Sequence, residues 1–281
     1  MTTRVAVVGA TGSLGQLAAR LIEESSEYEL FATLNSHSSL DDMVGADLVF
    51  EATLPSVSRS IVEFATSHGI NTVVGTSGWS NDRVAELRKS LEGSRVGVVI
   101  VPNFSTGSVV ATALATVAAH FFDSIEIVET HGEKKVDSPS GTAIRTAELI
   151  ASYRGERGPV IAPHADQRAR GAHIAGVPVH SLRMSGSATR QRVLFGGIGE
   201  AVTIDHETVS QGAYEAGIAL ALDATRAANG VTVGLDSLIN IRSVFASLAQ
   251  GDESVATLSA PGSDPIVEAT STGSPTQSAG S

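Results

Sequence analysis

Short apolar runs alternate with stretches of helical period from the first residues onward. Arg4–Val8 (RVAVV) is apolar and β-branched, the pattern of a short buried strand, and Gly9 ends it. Leu14, Ala18, Leu21 and Ile22 then recur at helical spacing and predict a helix over 13–24. Glu29–Thr33, Asp47–Glu51, Asn71–Val74 and Val96–Val101 read as further strands. Val57–Ser67 and Asn81–Leu91 read as helices, the second opened by a capping Ser80/Asn81. Strands and helices in strict alternation predict a parallel α/β sheet.

After Pro102 the pattern changes. Ser108–Phe122 reads as one long apolar helix, and Ser124–Thr130 (SIEIVET) alternates like a strand with one covered face. A helix is predicted over 141–153, and the polar, Pro- and Gly-containing stretch 156–170 as an exposed loop. Val179–Met184, Gln191–Phe195 and Ala201–His206 are strand candidates, and Ala213–Asn229 is a final helix. The expected plan is a nucleotide-type α/β unit, an α+β unit with its own sheet, and that last helix. Residues 252–281 are rich in Ser, Thr, Gly and Pro, with four acids and no base, and read as a disordered tail.

Composition narrows the function classes. Hydrophobic residues make up 42% of 281, enough to bury a core. Aromatics are 4% against 28 glycines, which suits close helix–strand packing. The chain has no cysteine, so disulfides, thiolate zinc sites, iron–sulfur clusters and Cys nucleophiles are excluded. A net charge of −11 carries no basic footprint, so a nucleic-acid partner is not expected. No apolar run reaches the roughly 18–20 residues of a membrane span. The start lacks a signal-peptide layout, and a cytoplasmic protein is expected.

Gly9-Ala-Thr-Gly12-Ser-Leu-Gly15 lies between the first strand and the first helix, a G-x-x-G-x-x-G variant of the dinucleotide fingerprint. Glycines let backbone approach a pyrophosphate, and the helix N-terminus offers N–H donors. Gly9, Thr11, Gly12, Ser13 and Leu14 are the candidates; a tight turn in a non-binding α/β unit is the alternative. The fingerprint also asks for an acid at the end of the second strand. Asn35 stands there, un-ionised, with no neighbouring Arg or Lys to hold a 2′-phosphate, so the choice between NADH and NADPH stays open. His37 beside it reads more readily as a surface residue.

The densest chemistry lies in Glu129-Thr-His131-Gly-Glu-Lys-Lys135-Val-Asp-Ser-Pro-Ser140-Gly-Thr142-Ala. His131 and Lys135 form a possible acid and cation on one loop, suited to protonating a centre that receives hydride. Ser140, Gly141 and Thr142 open a helix whose N–H groups can hold a carboxylate. A solvated charged loop with an ordinary cap would also fit these residues.

This stretch resembles the E-x-H-H-x-x-K-x-D-x-P-S-G-T-A motif of the 4-hydroxy-tetrahydrodipicolinate reductase (dihydrodipicolinate reductase) family. Val74–Gly78 looks like that family's V-G-T-T-G loop and Pro102-Asn-Phe-Ser105 like its (A/P)-N-F-S turn. Val193–Gly196, Thr203–His206 and Gly230–Leu235 follow its later segments, so the likeness spans about residues 4–240. It implies a Rossmann-like domain over 1–104 with 212–247, and a substrate-binding, tetramerising domain over 105–211. The implied activity is reduction of a cyclic conjugated imine dicarboxylate with NADH or NADPH, in lysine and diaminopimelate synthesis, by a homotetramer. By the same resemblance His131 is the catalytic acid and Lys135 the catalytic lysine, with Lys135, Ser77 and Ser140–Thr142 on the substrate. Ala52, Thr53, Gly75, Thr76, Ser77, Pro102, Asn103 and Phe104 fall on the cofactor.

The chain departs from the family pattern at several places. Gly132 replaces the second histidine, Gln211 a substrate-side arginine, and Ala52 the Phe of D-F-T. Asp205 replaces the Arg of I-R-H, and Arg190 and Arg192 replace the first and third residues of H-Q-E-V. Gly132 and Gln211 remove polar groups from the dicarboxylate pocket, so a divergent member acting on another cyclic imine or enamine acid is the second reading. A non-catalytic cofactor sensor is the third. His206 and His180 show no metal-ligand spacing and read as strand-end hydrogen bonders; no metal is expected. Trp79 reads as packing near the cleft, and Ser140 lacks a nucleophile-elbow setting.

Overall fold

The computed structural model of the chain describes residues 2–239, 241, 246 and 247. The first sheet is built from β1 (Thr3–Val8), β2 (Tyr28–Leu34), β3 (Leu48–Glu51), β4 (Asn71–Val74), β5 (Gly97–Ile100) and a late strand, β11 (Gly230–Val233). All its pairings are parallel, in the order β11-β5-β4-β3-β1-β2. A parallel sheet needs both faces covered, which is why β3 and β5 are buried at every position. Helices α1 (Ser13–Glu24), α2 (Ser58–Ser67) and α3 (Asn81–Ser90) supply cover, together with α6 (Glu215–Arg226). On α1, Leu17, Ala18 and Ile22 share one face and join Val5, Val7, Phe50 and Leu222 in the largest core. Burying each such side chain contributes about 1.5–3 kcal/mol.

The second sheet holds β6 (Ser124–His131), β7 (Ala172–Ile174), β8 (Val177–Arg183), β9 (Thr189–Gly197) and β10 (Glu200–Thr208), in the order β10-β9-β6-β8-β7. It is mixed: β6 and β8 run parallel, and the other pairs are antiparallel. Helices α4 (Thr106–Ala118) and α5 (Gly141–Arg154) pack on one face over Ile125, Ile127, Val179, Val193 and Phe195. Among the described residues nothing covers the other face, where Leu182, Leu194 and Val202 are exposed and Arg190 and Arg192 both pair with Asp205. Those two arginines are therefore strand-surface residues.

The apolar pattern located most elements to within two or three residues. Helix α4 is the main exception, running from Thr106 to Ala118 rather than 108 to 122. Ser105 caps it early by accepting the Ser108 N–H. At the other end the carbonyls of Ala119 and Phe122 turn to the buried Arg154 guanidinium, at 2.8 and 2.5 Å, in place of helical continuation. The short strands β7 and β11 were not foreseen. The tail expected over 252–281 lies outside the described residues. Among the described residues no helix is long and apolar enough to cross a membrane.

Candidate active site

The carboxyl ends of parallel strands gather backbone ends and loops into one place, the usual position for a ligand in such sheets. Here the ends of β1, β3, β4 and β5 line a groove of about 330 Å³ with Gly12, Ser13, Leu14, Ala52, Thr53, Pro55, Gly75, Thr76, Ser77 and Pro102. Most residues assigned to the cofactor from the sequence thus meet on one surface. Asn103 and Phe104 turn away from it. Asn103 spends its amide on Ser105 and Ser108 in the turn into α4, and Phe104 is buried, stacked on Phe50 at 5.7 Å.

The three fingerprint glycines have different reasons to be glycine. Gly9 has φ +87°, and a Cβ there would sit 2.1 Å from the Ala52 carbonyl oxygen. A Cβ on Gly15 would lie 2.2 Å from the Gly9 oxygen. The fold itself requires both. Gly12 has ordinary φ, and its Cβ would meet nothing nearer than 3.4 Å within the chain. Gly12 is also the N-cap of α1 and makes no side-chain cap, whereas Ser80, Ser105 and Ser140 cap their helices. A bare N-terminus behind a residue with room to spare fits a phosphate group pressed against backbone.

A second cavity, about 320 Å³, adjoins the end of β2 and is lined by Ala10, Thr11, Gln16, Arg20, Glu23, Thr33 and Asn35, among others. Asn35 accepts the His37 N–H on Oδ1 at 2.9 Å, and its own N–H donates to Ser38 Oγ. The sequence showed no base beside Asn35; the fold brings Arg20 across from α1. Its guanidinium is engaged by Glu24 at 2.9 Å and Glu215 at 2.5 Å.

Glu51, at the end of β3, was not singled out in the sequence. It is fully buried. Its carboxylate accepts Thr53 N–H at 2.9 Å, the Thr53 hydroxyl, Thr76 Oγ1 at 2.8 Å and Ser58 Oγ at 2.7 Å. Trp79 Nε1 donates to the same Ser58 oxygen at 3.1 Å, which ties Trp79 to this buried network while its ring packs on the core around Val62, Val74 and Val84.

On the second sheet β6 ends at His131, and the loop 132–140 leads into α5. Glu129 is two positions back on the same strand face and completely buried. Its Oε2 accepts His131 Nδ1 at 2.5 Å, so Nδ1 carries the proton and Nε2 is left for a ligand. Arg183 on β8 is the register partner of His131 and grips both oxygens of Glu129, at 2.9 and 2.8 Å. Ser140 N–H donates to Oε1 at 3.2 Å, which fixes the start of α5 beside the histidine. Lys135 lies in the loop between them, its Nζ 2.8 Å from Asp137 Oδ1.

Burial opposes ionisation of Glu129, but hydrogen bonds from Arg183, Ser181 and His131 together outweigh it and hold the carboxyl below the usual range. Burial likewise lowers His131, against the pull of Glu129, and the charges of Lys135 and Arg183 lower it further. The loop therefore presents one imidazole, one ammonium and a helix-start amide group. Gly132 has open space where a side chain would stand, and Gln211 lies exposed in the turn 211–214. His206 approaches Ser105 Oγ at 3.2 Å and His180 approaches Glu126 at 2.7 Å, each a strand histidine with a hydrogen-bond partner.

Comparison with known proteins agrees with this layout. Residues 3–104 match the family model described as "Dihydrodipicolinate reductase, N-terminus", and residues 107–239 the one for its C-terminus. The chain is 59% identical over 256 residues to 4-hydroxy-tetrahydrodipicolinate reductase of Clavibacter michiganensis, covering 90% of this chain and 92% of the relative. It is 42% identical over 245 residues to the Streptomyces griseus protein of the same name, covering 85% and 98%. A solved structure, the dipicolinate-bound dihydrodipicolinate reductase from Paenisporosarcina sp. TG-14, superposes with a TM-score of 0.72 at 26% identity, covering 85% of this chain and all of that one. The two sheets, their loops and the relatives lead to one conclusion: the chain belongs to the dihydrodipicolinate reductase family.

Proposed function

We propose that the chain reduces 4-hydroxy-tetrahydrodipicolinate to tetrahydrodipicolinate with NADH or NADPH, in lysine and diaminopimelate synthesis. The observation that carries this reading is the His131 loop. One short segment presents an imidazole oriented by a buried carboxylate, Lys135, and the Ser140–Thr142 helix start. The high identity to relatives named for this activity favours it over reduction of a different imine acid and over a non-catalytic sensor.

The conversion removes one ring hydroxyl as water and adds a hydride and a proton. When bound, the nicotinamide supplies the hydride. Gly12, Ser13 and Leu14 would hold the pyrophosphate, and the Asn35 cavity the adenosine ribose. Ala52–Thr53, Gly75–Ser77 and Pro102 would line the nicotinamide side. Lys135 and the Ser140–Thr142 helix start, through the N–H groups of Gly141 and Thr142, would hold a substrate carboxylate, with Lys135 released from Asp137 and the Ser140 N–H kept on Glu129, and Ser77 would contact the same ligand. His131 Nε2–H delivers the proton that balances the hydride. Either dinucleotide is compatible with an Asn35 site whose nearby base, Arg20, is already paired with two glutamates.

The proposal includes the division into 1–104 with 212–247 and 105–211, and a homotetramer in the cytoplasm. Support for assembly comes from the second sheet, whose outer face and edge strand β10 no other described element covers or pairs, with Val202 exposed. The test of function is oxidation of NADH and of NADPH by the purified chain with 4-hydroxy-tetrahydrodipicolinate generated in situ by its synthase. Rapid turnover is expected with at least one dinucleotide. Absence of turnover with both, while cofactor binding is intact, overturns the reading.

A further inference from the structure

The fully buried Glu129 and the partly buried Arg183 form a unit behind the reactive loop rather than in it. Four hydrogen bonds converge on the Glu129 carboxylate: His131 Nδ1 and Arg183 Nη1 on Oε2, and Arg183 Nη2 and Ser140 N–H on Oε1. The loop between residues 131 and 140 is thus tied at both ends to one side chain. Arg183 ties its middle, donating to the backbone oxygens of Asp137 at 2.6 Å and of Lys135 at 3.3 Å. A fully buried carboxylate paired with a partly buried guanidinium is costly to keep unless their hydrogen bonds are satisfied. Here every bond they make ends on the loop, the two strands that flank it, or the helix start after it.

We infer that Glu129 and Arg183 are positioning residues for the reduction: Glu129 sets the His131 tautomer and the distance from His131 to the Ser140 turn, and Arg183 holds the backbone that carries Lys135. Neither needs to touch the substrate. The two act on different quantities. Among the described residues Glu129 is the only anion in contact with His131; Lys135 and Arg183 face it as cations, and Asp137 is engaged by Lys135. Loss of the Glu129 charge therefore weakens the imidazolium and slows proton delivery. Arg183 governs the shape of the carboxylate-binding loop, so its loss weakens substrate binding.

The inference rests on His131 being the proton donor, and its test is chosen to be readable without turnover. In the full chain, nitrogen-15 NMR of the neutral His131 imidazole should show the proton on Nδ1. In Glu129→Gln the His131 titration midpoint should fall by roughly one pH unit. With the proposed substrate, Glu129→Gln should lower kcat roughly 10–100-fold and move the alkaline limb of the pH profile to lower pH, leaving cofactor affinity unchanged. Arg183→Lys should instead raise the substrate KM about tenfold or more, with that limb in place. An Nε2–H tautomer, or a His131 midpoint unmoved in Glu129→Gln, overturns the role of Glu129 whether or not the dicarboxylate is the substrate. If Glu129→Gln does not fold, the wild-type tautomer decides for Glu129. An unchanged KM in Arg183→Lys overturns the role of Arg183.

Discussion

Thr76 donates its hydroxyl to Glu51 Oε1 at 2.8 Å and, through the same oxygen, accepts the Thr53 N–H at 2.8 Å. Two loops from neighbouring strands are thereby locked together over a buried carboxylate at the floor of the dinucleotide groove. Replacing Glu51 by Ala leaves Thr53, Ser58 and Thr76 without their acceptor, and each buried unsatisfied group costs about 1–3 kcal/mol. Glu51→Ala is expected to lower Tm and weaken dinucleotide binding. Glu51→Gln, which keeps an acceptor, should retain more of both. Thermal melts with and without NADH check this, and equal melting and binding in all three proteins would refute it.

Gly12 and Gly15 separate ligand fit from fold. Gly15→Ala forces a Cβ to 2.2 Å from the Gly9 oxygen and is expected to destabilise the chain outright. Gly12→Ala has room within the chain and should melt close to wild type while losing dinucleotide affinity. Calorimetric titration with NADH and NADPH distinguishes the two behaviours.

His131→Ala and Lys135→Ala should each lower kcat by about 10²–10⁴-fold. Dinucleotide affinity, measured by fluorescence quenching, should not change, because those side chains stand on the other sheet. Wild-type rates in either variant remove that residue from the chemistry.

The pH dependence has a defined direction. Burial holds His131 below the ordinary histidine value, although Glu129 pulls the other way. A required imidazolium is then lost early as pH rises, so kcat/KM should fall through a midpoint below roughly 6.5. A bound carboxylate favours the charged ring, so the corresponding limb in kcat should lie at higher pH. Profiles of both constants test this; a free-enzyme limb at or above the ordinary value argues against His131 as the donor.

Gly132→His restores the residue that the family motif carries. Nothing lies within 4 Å of a Cβ placed there, so the fold should accept it. A new charged hydrogen bond to a carboxylate is worth about 1.5–3 kcal/mol, or roughly tenfold or more in affinity. The KM for the dicarboxylate should fall accordingly, and an unchanged KM would show that position 132 does not face the ligand.

Apolar runs and helical spacing located the parallel strands and their helices well, because burial on both faces leaves a plain signature in β3 and β5. The strands that escaped notice, β7 and β11, are three and four residues long and have no fully buried position, so the continuous apolar run that marks the equally short β3 and β5 is missing. Glycine and His–Lys motifs marked the loops proposed to face ligands. Of the supports beneath them, Glu51 and Arg183 were not legible, and Glu129, though it opens the motif, showed no role of its own. An acid at the end of an apolar strand looks like a solvated terminus in sequence, and only the fold shows it to be enclosed. Arg183 stands 54 residues from Glu129, and the parallel pairing of β6 with β8 is what joins them.

The edge of the first sheet has a consequence in time. Strand β5 is complete at Ile100, but its partner β11 starts only at Gly230, after the whole second sheet. A ribosome adding about 5–20 residues per second needs on the order of ten seconds to reach it. During that interval β5 presents an open, fully apolar parallel edge, and the core around Leu17, Ile22 and Phe50 lacks Ile218 and Leu222 from α6. The nascent chain is therefore most exposed to misassociation while the His131 loop is being made, and the last thirty or so described residues act as the closing stitch of its biosynthesis.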